Sequence, residues 1–156
     1  MLLPNYELVA RIGESRRAVI YEGYTKRKPR RMLALKLLKA PLSESRKAYF
    51  IQRIERLKVL KDPLVLVPTE FGTNAGIFYM GQEYFDGVPL DRLILEKQQL
   101  SLKDFFSIAC GIVRALCGIH EAGIVHGGIK PHNVLVNRET LESASSTWSA
   151  PLMYPT

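Results

Sequence analysis

At 156 residues, with 47% apolar residues, the chain is long enough for one ordinary domain or two small lobes around a real core, which excludes wholesale disorder. The formal net charge of +7 is uneven: residues 1–61 hold sixteen Lys/Arg against five Glu, whereas residues 62–156 hold six Lys/Arg against ten Asp/Glu. That asymmetry points to an anionic ligand or partner for the first part, with a solvated basic face as the plainer alternative.

Tyr6–Ile12 alternates apolar and polar residues up to Gly13, and Ala18–Tyr24 is β-branched and aromatic, so the two read as a hairpin around "GESRR". "TKRKPRR" (Thr25–Arg31) is a basic turn, read as a solvated loop, with polyanion binding as the rival. Met32–Leu38 is an apolar run with one cation, Lys36, which as a buried strand residue needs a partner or a wet tip. A helix starts at Ser43, carries Phe50, Ile54, Leu57 and Leu60 on one face, and stops by Pro63. "LVLVPTEF" and "GIFYMGQEYF" read as two strands joined at Gly72–Gly76, before a "DGVP" turn and a short helix from Pro89 to about Lys97.

From Ser101 the pattern becomes helical. Ser101-Leu-Lys-Asp104 has the form of a capping box. The apolar face runs through Phe105, Ile108, Ala109, Ile112, Val113, Leu116 and Ile119, and Gly123 closes the helix. Arg114 interrupts this stretch, so it falls short of the roughly 18 apolar residues a membrane span needs. No basic-then-apolar leader opens the chain, and a cytoplasmic protein without membrane contact is expected. Cys110 and Cys117 would lie about 10 Å apart on this helix, too far for a disulfide, and are read as small core residues. The loop "HGGIKPHNVLV" (His126–Val136) follows and ends in a short strand, Val134–Val136. After Arg138 the periodicity stops.

The order and spacing of these stretches resembles the protein kinase domain family, of the bacterial serine/threonine type, from Tyr6 to about Asn137. The resemblance implies an α+β fold: a five-stranded antiparallel N-lobe with one long helix over residues 1–87, a hinge and partial helical C-lobe over 88–138, and an irregular tail over 139–156. "IGESRRAV" resembles the glycine-rich loop over ATP phosphates, with Ile12 and Gly13 kept and Ser15 and Ala18 at the later glycine positions. "LALK" resembles the strand whose lysine, here Lys36, pairs the α- and β-phosphates. Val19 and Ala34 are then expected as the apolar shelf over adenine, Glu83 and Phe85 as hinge residues bonding it through their backbones, and Gln82 as the gatekeeper.

"IHEAGIVHGGIKPHNVLV" (Ile119–Val136) resembles the approach to the catalytic loop. His126 matches its structural histidine, Lys130 the residue touching the transferred phosphate, and Asn133 a magnesium ligand. Two positions depart from the pattern. Gly128 stands where an aspartate would accept the substrate hydroxyl proton. Arg53 stands where a helix glutamate would pair with Lys36, so two like charges are expected to face each other. No aspartate follows Asp104, so Asn133 is left as a metal ligand without its carboxylate companion.

The expectation is a truncated kinase-like domain that binds nucleotide, with ATP and Mg2+ weakly held or absent, and carries out little or no phosphotransfer. A pseudokinase module with a protein partner in signalling and a gene remnant of a larger kinase stay open beside it. Nucleic acid is not the expected partner. The three histidines, six residues apart, match no metal-ligand spacing.

Overall fold

The computed structural model describes residues 3–60 and 62–146. Two compact units divide the chain, the first comprising residues up to Ile51 with Pro68–Tyr84, the second Gln52–Val67 with Phe85 onward.

The first unit is an antiparallel sheet of β1 (Tyr6–Glu14), β2 (Ala18–Thr25), β3 (Met32–Leu38), β5 (Pro68–Asn74) and β6 (Ile77–Glu83), in the order β1-β2-β3-β6-β5. The five strands expected from β-branched and aromatic content are present. Side chains alternate between faces along β3. Leu33, Leu35 and Leu37 join Leu3 and Tyr6 in one buried cluster, with Tyr21 and Tyr79 against it. Lys36 and Ala34 belong to the opposite face, as do their register partners Met80 and Gln82. The first turns of α1 (Glu44–Leu57) bring Phe50 onto Phe78, with ring centroids 6.0 Å apart.

The second unit is built around α3 (Leu102–Glu121). Ser101 caps it by accepting from the Asp104 amide at 3.1 Å. Its far end closes on Gly123 at φ +68°, where the Ile124 amide reaches back to the Ile119 carbonyl at 3.2 Å. A second sheet runs β4 (Val65–Leu66), β9 (Ser143–Ser146), β8 (Val134–Val136), β7 (Val88–Pro89), next to α2 (Leu90–Lys97).

Several expectations are corrected. "LVLVPTEF" is two strands, and its first half pairs with β9 in the other sheet. Gln52–Val67 belongs to the second unit because Leu57 and Val65 are buried with Ala115, Ile119 and Ile124. Within the tail read as irregular, Ser143–Ser146 is strand β9, held by backbone pairing that its small polar side chains do not advertise. The rest of that tail, from residue 147, lies outside the described residues. The buried line of α3 is only Ile108, Ala115 and Ile119. Phe105 and Val113, expected inside, are 53% and 58% exposed. Cys110 and Cys117 are also exposed, because they share the outer stripe with Phe106 and Val113.

Candidate functional site

On the first unit, Lys36 is 8% exposed on β3. The register puts Ile20 opposite Lys36 and Glu22 opposite Ala34. Val19, expected beside Ala34, is instead opposite Leu37 and shares the face of the leucine cluster. One residue of register moves a side chain to the other face, so Ile20 takes the apolar place read for Val19. Ala18 is fully buried at the start of β2, and Ile12 is half exposed at the end of β1.

The hairpin tip differs from an open glycine cradle. Ser15 Oγ accepts from the Arg17 amide at 3.3 Å and the Ala18 amide at 3.1 Å, and the Ser15 amide donates to the Ala18 carbonyl at 2.8 Å. Amides that a glycine loop would offer to phosphate are therefore taken up by a serine turn. Gly13 retains room: a Cβ there would meet Ile20 at 3.4 Å.

Beyond β6, the Tyr84 amide donates to the Met32 carbonyl at 3.3 Å, which extends the sheet past the exposed Glu83. Gln82 is 2% exposed, and its Oε1 has no hydrogen-bond partner. A buried acceptor left unpaired costs about 1–3 kcal/mol. Such an orphan on the face of Ala34 and Lys36 fits a ligand that brings an N–H donor, as an adenine amino group would.

On the second unit, the loop from His126 to Asn133 is held at every turn. His126 is 2% exposed. Its Nδ1 accepts from the Gly128 amide at 3.2 Å, so the proton sits on Nε2 and points to Ser145 Oγ at 3.3 Å. Asn133 Nδ2 donates to the Gly128 carbonyl at 2.5 Å, and the Asn133 amide to the Lys130 carbonyl at 2.8 Å. Gly127 takes φ +66°, a backbone conformation that favours glycine. Lys130 is exposed. Phe85 lies over Gly87, where an added Cβ would come 2.5 Å from its ring.

Arg53 Nη2 donates to the Val125 carbonyl and, at 3.4 Å, to the His126 carbonyl. Its guanidinium holds the backbone that leads into the loop. Sequence reasoning missed this anchor, and it missed Ser145 and Ser143, the latter donating to the Ile108 carbonyl at 3.1 Å. The signal was hidden because serines in a region without periodicity look like linker. The histidines also separate into unrelated roles, with His132 on Asp91 at 3.1 Å.

Gly128 brings only an amide and a carbonyl to this loop, and both are engaged within it. The described residues do not fit magnesium: Asn133 offers one carboxamide oxygen, and no three His, Cys, Asp or Glu side chains converge to hold a metal ion among the described residues.

The family model for the protein kinase domain matches residues 6–143. A probable serine/threonine-protein kinase of Clostridium perfringens is 32% identical over 136 residues, covering 86% of this chain and 20% of the relative. One of Streptomyces coelicolor is 32% identical over 139 residues, covering 85% and 20%. The chain thus spans about a fifth of the length of these relatives. Among solved structures, a double mutant of the Mycobacterium tuberculosis PknI kinase domain superposes with TM-score 0.81 at 19% identity, covering 96% of this chain and 60% of that one. Rad53 in complex with AMP-PNP gives TM-score 0.76 at 19% identity, covering 91% and 38%.

Proposed function

We propose, from the premise that this chain belongs to the protein kinase domain family, that it is a nucleotide-binding module with little or no phosphotransfer activity. Gly128 carries this reading. A positioned general base contributes roughly 10²–10⁴-fold, and glycine has no group that accepts a proton or orients a hydroxyl nucleophile.

ATP, when bound, would supply the phosphoryl group and the negative charge that the protein has to hold. Lys36 offers its ammonium on the face of Ala34 and Ile20, and the orphan Oε1 of Gln82 offers an acceptor there. Glu83 and Phe85 are the residues that would bond adenine through their backbones. Lys130 is solvent-facing, and Asn133 is committed to shaping its own loop through Gly128. Ser15 weakens the phosphate grip, because its hydroxyl competes for the amides at the hairpin tip. Magnesium enters no step, since the described donors do not make a site for it.

A regulatory pseudokinase is the second reading, favoured by the loop's retained hydrogen bonds around a missing base. Such a module would act through a protein partner in signalling, in the cytoplasm. Nucleotide titration followed by thermal shift, with and without magnesium, tests the proposal. ATP is expected to raise Tm in wild type, with little added by magnesium, and to leave the Lys36→Met variant unshifted. No shift in wild type would remove the nucleotide from the reading.

A further inference from the structure

The loop between β2 and β3 carries five cations, Lys26, Arg27, Lys28, Arg30 and Arg31. Three of them are already paired within the first unit. Arg27 and Arg31 both bond Glu70 Oε1, and Arg30 meets Glu7 at 2.6 Å while lying 4.6 Å from the Tyr24 ring centroid. Lys26 and Lys28 have no ion pair among the described residues. Five positive and two negative charges leave the loop's surroundings at about +3. This local surplus argues for an anion, and the three existing pairs argue against an extended polyanion track.

Beside this loop lies a cavity of about 360 Å³, at the small end of the roughly 300–1,000 Å³ of ligand sites. Its lining includes Tyr6 and Tyr79, with Asn5, Lys26, Arg27 and Glu70. The two tyrosines stand edge to face, with centroids 5.5 Å apart and planes at 72°. They belong to the leucine-cluster face of the sheet, opposite Lys36, so the cavity is separate from the proposed nucleotide face. Glu70 is a shared clamp. Its Oε2 accepts from the Tyr6 hydroxyl at 3.1 Å, and its Oε1 serves two guanidinium groups at once. Burial and the neighbouring Tyr79 and Glu70 keep the Tyr6 hydroxyl protonated well above the usual tyrosine range. If Arg27 turned to an incoming anion, Glu70 would still hold Arg31 and Tyr6, and no buried charge would be orphaned.

We propose that this cavity binds a phosphate monoester with an aromatic body, its phosphate meeting Lys26 and Arg27 and its ring lying against Tyr6 and Tyr79. A dianion matches the local surplus better than a carboxylate does. The phosphate could come from a phosphotyrosyl side chain of a partner or from a small aryl phosphate, which present the same group.

Titration of the purified chain with phenyl phosphate, inorganic phosphate and benzyl alcohol, by calorimetry at low and high salt, tests this. Phenyl phosphate is expected to bind most tightly and to weaken with salt. The Lys26→Glu/Arg27→Glu variant, altered only at exposed side chains, is expected to bind about tenfold or more weakly. Glu70→Gln, which frees both arginines from a competing carboxylate, is expected to bind more tightly, an effect that a purely structural ion pair would not give. Binding should be unchanged in Lys36→Met, which separates the cavity from the nucleotide face. A single-phosphotyrosine peptide tighter than phenyl phosphate would identify a protein source, and equal affinity a small molecule. Phenyl phosphate no tighter than inorganic phosphate, insensitivity to the double charge reversal, or loss of binding in Lys36→Met would each overturn the proposal.

Discussion

The face around Lys36 and the loop from His126 to Asn133 have diverged from the kinase pattern in opposite ways. On the first, the chemical group is kept and its surroundings are altered: Lys36 stays buried beside Ala34, with the half-buried Ile20 opposite it, while Ser15 occupies the amides of the hairpin tip. On the second, the surroundings are kept and the chemical group is gone: His126, Asn133 and Arg53 hold the backbone, and Gly128 contributes no side chain. A loop's shape depends on its backbone partners, so it survives loss of the residue that did chemistry. A binding face depends on which group it presents, so it can tolerate a poorer frame.

Substitution can separate the two. His126→Ala removes a buried ring with bonds at both nitrogens and is expected to cost about 2–4 kcal/mol of stability, read from denaturant unfolding. Lys36→Met is expected to weaken ATP binding about 10–100-fold, the worth of one or two charge-assisted bonds, with the unfolding midpoint nearly unchanged. If His126→Ala lowered ATP affinity as much as Lys36→Met in protein still folded, shape and chemistry would not be separable in this way. Arg53→Gln probes the loop's anchor, with an expected loss of about 1–2 kcal/mol and faster amide exchange at Val125–Gly128.

Much of this was legible in the sequence. The alternation in Tyr6–Ile12 and Ala18–Tyr24, the Ser101 cap and the Gly123 stop gave correct elements, because each signal is local. Val19 was misplaced because facing is set by cross-strand register, which the hairpin turn decides. The partners of Arg53 were not legible: its spacing on α1 was visible, but the carbonyls it bonds lie 72 and 73 residues away in the chain. Cys110 and Cys117 looked like core on a helical wheel, yet the buried line of α3 is narrower than its apolar stripe.

Smaller effects sharpen the picture of each unit. Burial raises the pKa of Tyr6 in the folded state above the usual tyrosine value of 10.0. The stability tied to its protonated hydroxyl is therefore fully present below pH 10.0 and is lost as pH rises through the folded value. Tyr6→Phe should flatten the alkaline limb of a stability profile. Both cysteines should react with a thiol reagent in the native chain at rates near those in denaturant, whereas slow reaction would mean that the outer stripe of α3 is covered.

A kinase-family chain with glycine at position 128 is expected to bind nucleotide without transferring phosphate. Transfer of labelled γ-phosphate from Mg-ATP to a generic protein substrate, run beside the ATP thermal shift on the same preparation, tests it most directly. The expected result is a shift in Tm with phosphate transfer no higher than in the Lys36→Met control. Transfer well above that control would contradict the account, because it would require a base other than the one missing at Gly128.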